Sequence, residues 1–109
     1  MIVKSNRKLS TIFKRALEIM NDGGKHWIKG DLCKRLPDGT YGYCALGAIR
    51  KVTQKDLMNR YAAERILANC LTYSVAGWND RSSTFFSDIK RVFKEVINRE
   101  LDKEKNDIS

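Results

Sequence analysis

The sequence predicts a mainly α-helical single domain over residues 1–109, α+β if a short hairpin forms. In it, three longer amphipathic helices close around one short buried helix. Three observations predict this. Apolar residues recur at spacings of three and four in three separate stretches, the period of a helix with one buried face. A fourth stretch, Cys44-Ala45-Leu46-Gly47-Ala48-Ile49, is small or apolar at every position and reads as buried all round. One Pro-Asp-Gly turn divides a segment that has no helical period. With 109 residues and a single proline, the chain has room for one core and few loops.

The first helix carries Leu9, Ile12, Phe13, Ala16, Leu17 and Met20 on one stripe, with Lys8, Lys14, Arg15 and Glu18 mostly off it. Ser5 or Asn6 is the predicted N-cap, and Asn21-Asp22-Gly23-Gly24 the stop. From Lys25 to Tyr43 the helical period vanishes. Pro37-Asp38-Gly39 forms a turn because Pro presets φ, Asp bonds forward and Gly accepts positive φ. Residues 33–36 and 40–43 can pair across it, and such a hairpin must pack on helices to be stable.

The short helix starts at Tyr43 or Cys44 and continues through Ile49 and Val52. Gly47 costs about 1 kcal/mol against Ala inside it, which close approach of another backbone or of a ligand would offset. Thr53 is the predicted cap of the next helix, with Asp56 as its capping-box partner. That helix shows a wide stripe of Leu57, Met58, Tyr61, Ala62, Ala63, Ile66, Leu67, Cys70 and Leu71. A loop over 73–83, centred on Gly77-Trp78-Asn79-Asp80-Arg81, leads to a last helix capped at Ser82, Ser83 or Thr84. Its stripe is Phe85 or Phe86, Ile89, Val92, Phe93, Val96, Ile97 and Leu101, and 104–109 should fray.

The formal charge is +8, and it is concentrated. Up to Arg35 there are nine basic residues (Lys4, Arg7, Lys8, Lys14, Arg15, Lys25, Lys29, Lys34, Arg35) against three acidic ones (Glu18, Asp22, Asp31). Such a face attracts phosphate-bearing partners or an acidic protein surface, and it also keeps a small protein soluble. No run of roughly 18 apolar residues exists, and the N-terminus lacks an apolar signal core. The expectation is a cytoplasmic protein with no membrane partner. Three cysteines, Cys33, Cys44 and Cys70, are an odd count for a disulfide framework. His26, Cys33 and Cys44 match no common zinc spacing, so neither metal nor cofactor is expected.

Cys44 stands where a loop turns into a helix, whose unpaired N–H groups favour a thiolate or a bound anion. With His26 as base and Asn79 or Asp80 as orienter it would form a nucleophilic constellation. The competing reading is a small buried apolar residue, since Ala45, Leu46 and Ala48 would raise the thiol pKa. Asn79 can read a base edge or an amide. Asp80 can accept a ribose hydroxyl, and Trp78 or Trp27 offers a face for stacking. Equally, Asp80 can cap backbone donors while Trp78 plugs the core. Tyr41 and Tyr43 flank Gly42 near Lys34 and Arg35, an aromatic and basic mixture that suits single-stranded nucleic acid or a nucleotide.

His26-Trp27-Ile28-Lys29-Gly30, then Tyr43-Cys44-Ala45-Leu46-Gly47-Ala48-Ile49, then Trp78-Asn79-Asp80 before a capped helix form an ordered set. This set resembles a family of small uncharacterised proteins, a domain of unknown function found in phages and actinobacteria. The family pattern is similar to Trp-x-x-Gly, an Asp-Gly turn, Cys-x-x-Gly-Ala and Trp-Asn-Asp, and the similarity spans about Leu9 to Ile97. The resemblance implies a shared fold, convergence of the three motifs and a phage-encoded accessory role. It implies no activity.

Three function classes follow. The first is a binding protein with a pocket of Trp27, Cys44, Gly47, Trp78, Asn79 and Asp80, which sequesters a small anionic or nucleotide-like ligand or blocks a host protein. The second is a hydrolase or transferase using Cys44, His26 and Asp80. The third is a basic nucleic-acid binder. The motif residues are rich in recognition chemistry and poor in a proton-transfer pair, which favours the first.

Overall fold

A computed structural model of the protein describes residues 8–21, 24–71 and 74–106. Among the described residues the chain forms five helices and one two-stranded hairpin. They are α1 (Leu9–Met20), β1 (Cys33–Arg35), β2 (Tyr41–Tyr43), α2 (Ala45–Thr53), α3 (Leu57–Asn69), α4 (Val75–Asp80) and α5 (Phe86–Asn106). The fold is mainly α with a small β hairpin. None of these helices is long and apolar enough to cross a membrane.

α1 buries the predicted stripe, with Ile12, Phe13, Ala16 and Met20 fully enclosed. It packs chiefly against α5 and α2. Phe13 meets Phe93 of α5 edge-on, ring centres 5.9 Å apart, the geometry favoured by the ring quadrupoles. Ile89, Val92, Phe93, Val96 and Ile97 complete the α5 face. α5 runs through Asn106, although its composition predicts fraying from 104. Glu104 is anchored across the core edge, where its carboxylate accepts the Ser10 hydroxyl at 2.6 Å and the Ser10 N–H at 3.1 Å. Residues 107–109 lie outside the described residues, as do the predicted caps Ser5 and Asn6.

α2 is the short buried helix, in contact with α1, α3, α4 and β2. Thr53 is its last residue rather than the cap of α3, and its hydroxyl donates to the Ile49 carbonyl at 2.8 Å. Asp56 takes the capping position instead and accepts the Asn59 N–H. α3 buries less than its composition predicts. Ala63 and Leu67 are enclosed, whereas Leu57, Met58 and Tyr61 are exposed, Met58 by 85%. The predicted stripe covers too much of the circumference for one helix to bury against a core on one side.

The expected loop over 73–83 contains α4. Its six residues are too few to show a period, and Ser74 starts it by accepting the Gly77 N–H at 3.1 Å. α5 begins at Phe86, after all three predicted caps. There Asp88 accepts the Phe85 N–H at 2.9 Å, the return half of a capping box.

The hairpin forms between the predicted segments, with Cys33 opposite Tyr43, Lys34 opposite Gly42 and Arg35 opposite Tyr41. Gly39 takes φ of 87° in the turn. The far edge of β2 bridges to Trp27: Tyr43 N–H donates to the His26 carbonyl at 2.8 Å and Ile28 N–H to the Tyr43 carbonyl at 3.2 Å. This contact ties the hairpin to the segment carrying Trp27.

Candidate functional site

Asn79 is fully buried on α4, and its amide uses every valence it has. Its Oδ1 accepts Trp27 Nε1–H at 2.6 Å and Ala45 N–H at 3.0 Å. Its Nδ2 donates to the Ile28 carbonyl at 2.9 Å and to Asp80 Oδ1 at 3.1 Å. Ala45 N–H is one of the donors that the start of α2 leaves without an intrahelical partner. A side chain from α4 therefore caps α2 from outside.

Cys44 caps the same helix from within, its Sγ accepting Gly47 N–H at 3.3 Å. Burial, ahead of every other influence, pushes the Cys44 thiol above its ordinary pKa. His26 makes no side-chain hydrogen bond to Cys44 or Asp80 among the described residues. Its Nε2 is buried without a hydrogen-bond partner among the described residues. Asp80 lies on the surface, where its Oδ1 accepts Gly30 N–H at 2.9 Å. Lys29 reaches the Arg81 carbonyl at 2.6 Å and lies 5.4 Å from the centre of the Trp27 ring. Trp78 joins the hydrophobic core and Trp27 packs tilted on Phe86.

The three sequence motifs thus meet. Trp27, Ala45, Asn79 and Asp80 form one hydrogen-bonded knot joining the 26–32 segment, the start of α2 and α4, with Cys44 beside it as the cap of α2. Gly47 sits beside it for a steric reason. A Cβ there would lie 1.8 Å from the Leu32 carbonyl oxygen, so only glycine lets that backbone approach. The Leu32 carbonyl also accepts Cys44 N–H at 3.3 Å. The neighbour whose approach offsets the helix cost of Gly47 is another stretch of backbone.

Outside the knot the surface opens. A groove of about 550 Å³ lies between the hairpin and α2, with Cys33, Tyr41 and Tyr43 on one wall and Gly47, Arg50, Lys51 and Gln54 on the other. Leu32 closes one side. Arg50 is oriented by Glu64 of α3 at 3.2 Å, while Lys51 has no ion pair among the described residues. Burial pushes the Tyr43 phenol above its ordinary pKa, with the adjacent Cys33 thiol adding to the effect, so it stays a neutral donor. A second groove, of about 570 Å³, is lined by Ile28, Lys29, Lys34, Arg35, Leu36 and Pro37. Neither groove has a carboxylate in its lining.

Of the six residues predicted to bind ligand, Gly47 alone lines the groove beside α2; Trp27, Cys44, Trp78, Asn79 and Asp80 line neither groove. Sequence reasoning singles out Tyr41, Tyr43, Lys34 and Arg35 but misses Arg50, Lys51 and Gln54. The available signal was the polar edge Arg50-Lys51 on an otherwise apolar helix. Among the described residues no three His, Cys, Asp or Glu side chains gather to hold a metal.

Comparison with curated proteins and with solved structures returns no match. Residues 4–99, nearly the whole chain, match a family of unknown function, DUF6197, and the chain belongs to that family.

Proposed function

We propose that this chain is a non-catalytic binding protein that takes a nucleotide-like, phosphate-bearing ligand in the groove between the hairpin and α2. The observation that carries this reading is the composition of that groove: the half-exposed ring of Tyr41 faces a surface with Arg50, held by Glu64, and Lys51, and no carboxylate lines the groove itself. A ring offers stacking and the two cations offer phosphate contacts. Trp27, Cys44, Trp78, Asn79 and Asp80 serve the same site as its frame, because a saturated buried network holds groove walls rigidly. Catalysis by Cys44 has less support: the thiol is buried, its pKa is raised, and no hydrogen bond joins it to His26. In this reading the chain acts by occupancy. A phage-encoded accessory or counter-defence protein that sequesters a host nucleotide is the corresponding biological role.

Equilibrium dialysis against a mixture of ribonucleoside mono-, di- and triphosphates tests the proposal, with Tyr41→Ala and Lys51→Glu as groove variants and a Lys14→Glu, Arg15→Glu pair on α1 as the charge control. The groove variants should lose binding by about tenfold or more while the α1 pair retains it. Loss in the α1 pair with both groove variants intact would move the site to the basic N-terminal face. A second reading, a blocked host protein, is favoured by the exposed Leu57, Met58 and Tyr61 on α3.

A further inference from the structure

We infer that the ligand class is a single-stranded oligonucleotide, laid over the hairpin so that bases stack on Tyr41 and Tyr43 while Lys34 and Arg35 hold its phosphates. This inference rests on the nucleotide reading of the groove and names its ligand. The register carries it. Directly opposed residues share a face of a hairpin and successive residues alternate. Tyr41, Tyr43 and Arg35 therefore stand on one face, and Lys34 on the other. Tyr41 and Tyr43 are two positions apart on one strand, about 7 Å along it, a separation that one extended nucleotide step spans.

The edges of the hairpin differ. β2 is covered by its bridge to Trp27, whereas among the described residues β1 pairs only with β2, and all three of its residues are exposed. That open edge is Cys33-Lys34-Arg35, so it carries two adjacent cations, neither with an ion pair among the described residues. The second groove begins at the same edge, lined by Lys34, Arg35 and Lys29. A mononucleotide fills the Tyr41 groove and leaves this second basic groove without a role. A chain of nucleotides crossing the β1 edge engages both. Duplex DNA fits less well, since α2 is packed among other elements with its Arg50-Lys51 edge open, and among the described residues no helix beside the grooves stands free to enter a major groove.

The test is fluorescence anisotropy with a labelled oligothymidylate of about ten nucleotides, read at low and at physiological salt. Competition by thymidine monophosphate and by a duplex of the same length runs alongside. The full chain is compared with Lys34→Glu/Arg35→Glu, Tyr41→Ala and Tyr41→Phe, with circular dichroism confirming that each is folded. The oligonucleotide should bind more tightly than the monophosphate or the duplex. The edge pair should weaken it about tenfold or more and lower the slope of log affinity against log salt by about 1.4, two phosphate contacts on a single strand. Monophosphate binding should change by less than about twofold in the edge pair. Tyr41→Ala should lose affinity and Tyr41→Phe retain it, because stacking needs the ring and not the hydroxyl. Equal binding of monophosphate and oligonucleotide, with the edge pair unaffected, would overturn the polymer and leave the nucleotide groove standing. Equal or tighter duplex binding would also overturn it. Binding of neither nucleotide form would overturn both readings.

Discussion

Trp27 Nε1 donates a hydrogen bond of 2.6 Å to Asn79 Oδ1, joining two sequence motifs that lie 52 residues apart. The same oxygen holds the first turn of α2 through Ala45 N–H. One buried amide therefore fixes the relative positions of the segment behind the hairpin, the central helix and α4. The open groove lies between the hairpin and the second of these pieces, α2.

Replacing Asn79 should be costly. Asn79→Ala leaves Trp27 Nε1–H, Ala45 N–H and the Ile28 carbonyl without their partner in or near the core, each costing about 1–3 kcal/mol when buried. The expected loss is about 3–5 kcal/mol in urea unfolding, a large part of the stability of a typical domain. Asp80→Ala, at an exposed position, should cost about 1 kcal/mol. Equal and small effects at the two positions would contradict the role given to Asn79.

Gly47→Ala sets two effects against each other. Alanine gains about 1 kcal/mol in helix propensity. Its Cβ, however, would meet the Leu32 carbonyl at 1.8 Å, and that is backbone that cannot rotate away. The clash should win, with a net loss of about 2 kcal/mol, read as a lower thermal midpoint. Because Leu32 and Gly47 both line the groove, ligand affinity should fall as well. A variant as stable as the parent would show that the 30–32 backbone is free to move.

Cys44 should behave as a cap. Cys44→Ser keeps an acceptor for Gly47 N–H and should change stability by less than about 1 kcal/mol, whereas Cys44→Val removes it and should cost about 1–2 kcal/mol. Under iodoacetamide at neutral pH, mass spectrometry should find the exposed Cys33 and Cys70 modified before Cys44. Preferential labelling of Cys44 would restore the nucleophile reading.

Much of this was legible in the sequence, for identifiable reasons. The α1 and α5 stripes repeat over several turns, and only one face of each is apolar, so pattern and burial agree. The hairpin was legible because Pro37-Asp38-Gly39 permits few backbone paths. α4 was not, because six residues show no period and Gly77 argues against a helix. α3 misled in the other direction: Leu57, Met58 and Tyr61 have the right spacing but stand exposed among the described residues. In the site, the meeting of the motifs that carry Trp27, Cys44, Gly47, Trp78 and Asp80 was legible, since each of these residues departs from its local pattern, whereas Asn79, through which the motifs bond, was not singled out for it. The saturation of its amide was not legible, because a hydrogen-bond partner 52 residues away leaves no local trace. The groove walls Arg50, Lys51 and Gln54 look like any solvated helix edge until the hairpin is placed beside them.

Asp38 ties the hairpin turn, accepting the Thr40 hydroxyl at 2.5 Å and Thr40 N–H at 3.0 Å and pairing with Lys25 at 3.2 Å. These donors, the Thr40 hydroxyl first, hold its carboxyl well below the usual carboxylate range. A depressed folded pKa means that the contribution to stability is complete above the ordinary carboxylate value and disappears as pH falls through the folded one. The Gly39 and Thr40 amide resonances should therefore stay native through the ordinary carboxylate range and shift only in stronger acid. Asp38→Asn should remove that acid transition. Titration of Asp38 in the ordinary range would contradict the turn geometry.

The most direct measurement is a nuclear magnetic resonance titration of the isotope-labelled protein with oligothymidylate and, separately, with thymidine monophosphate. The Trp27 indole N–H reports on the knot, and the amides of Tyr41, Tyr43, Gly47 and Lys51 report on the groove. The groove amides should shift on ligand addition while the Trp27 indole resonance stays near its free position, since its bond to Asn79 belongs to the frame. Shifts centred on the Trp27 indole and the α4 amides, with Tyr41 and Lys51 unmoved, would contradict the account and return the ligand to the knot itself.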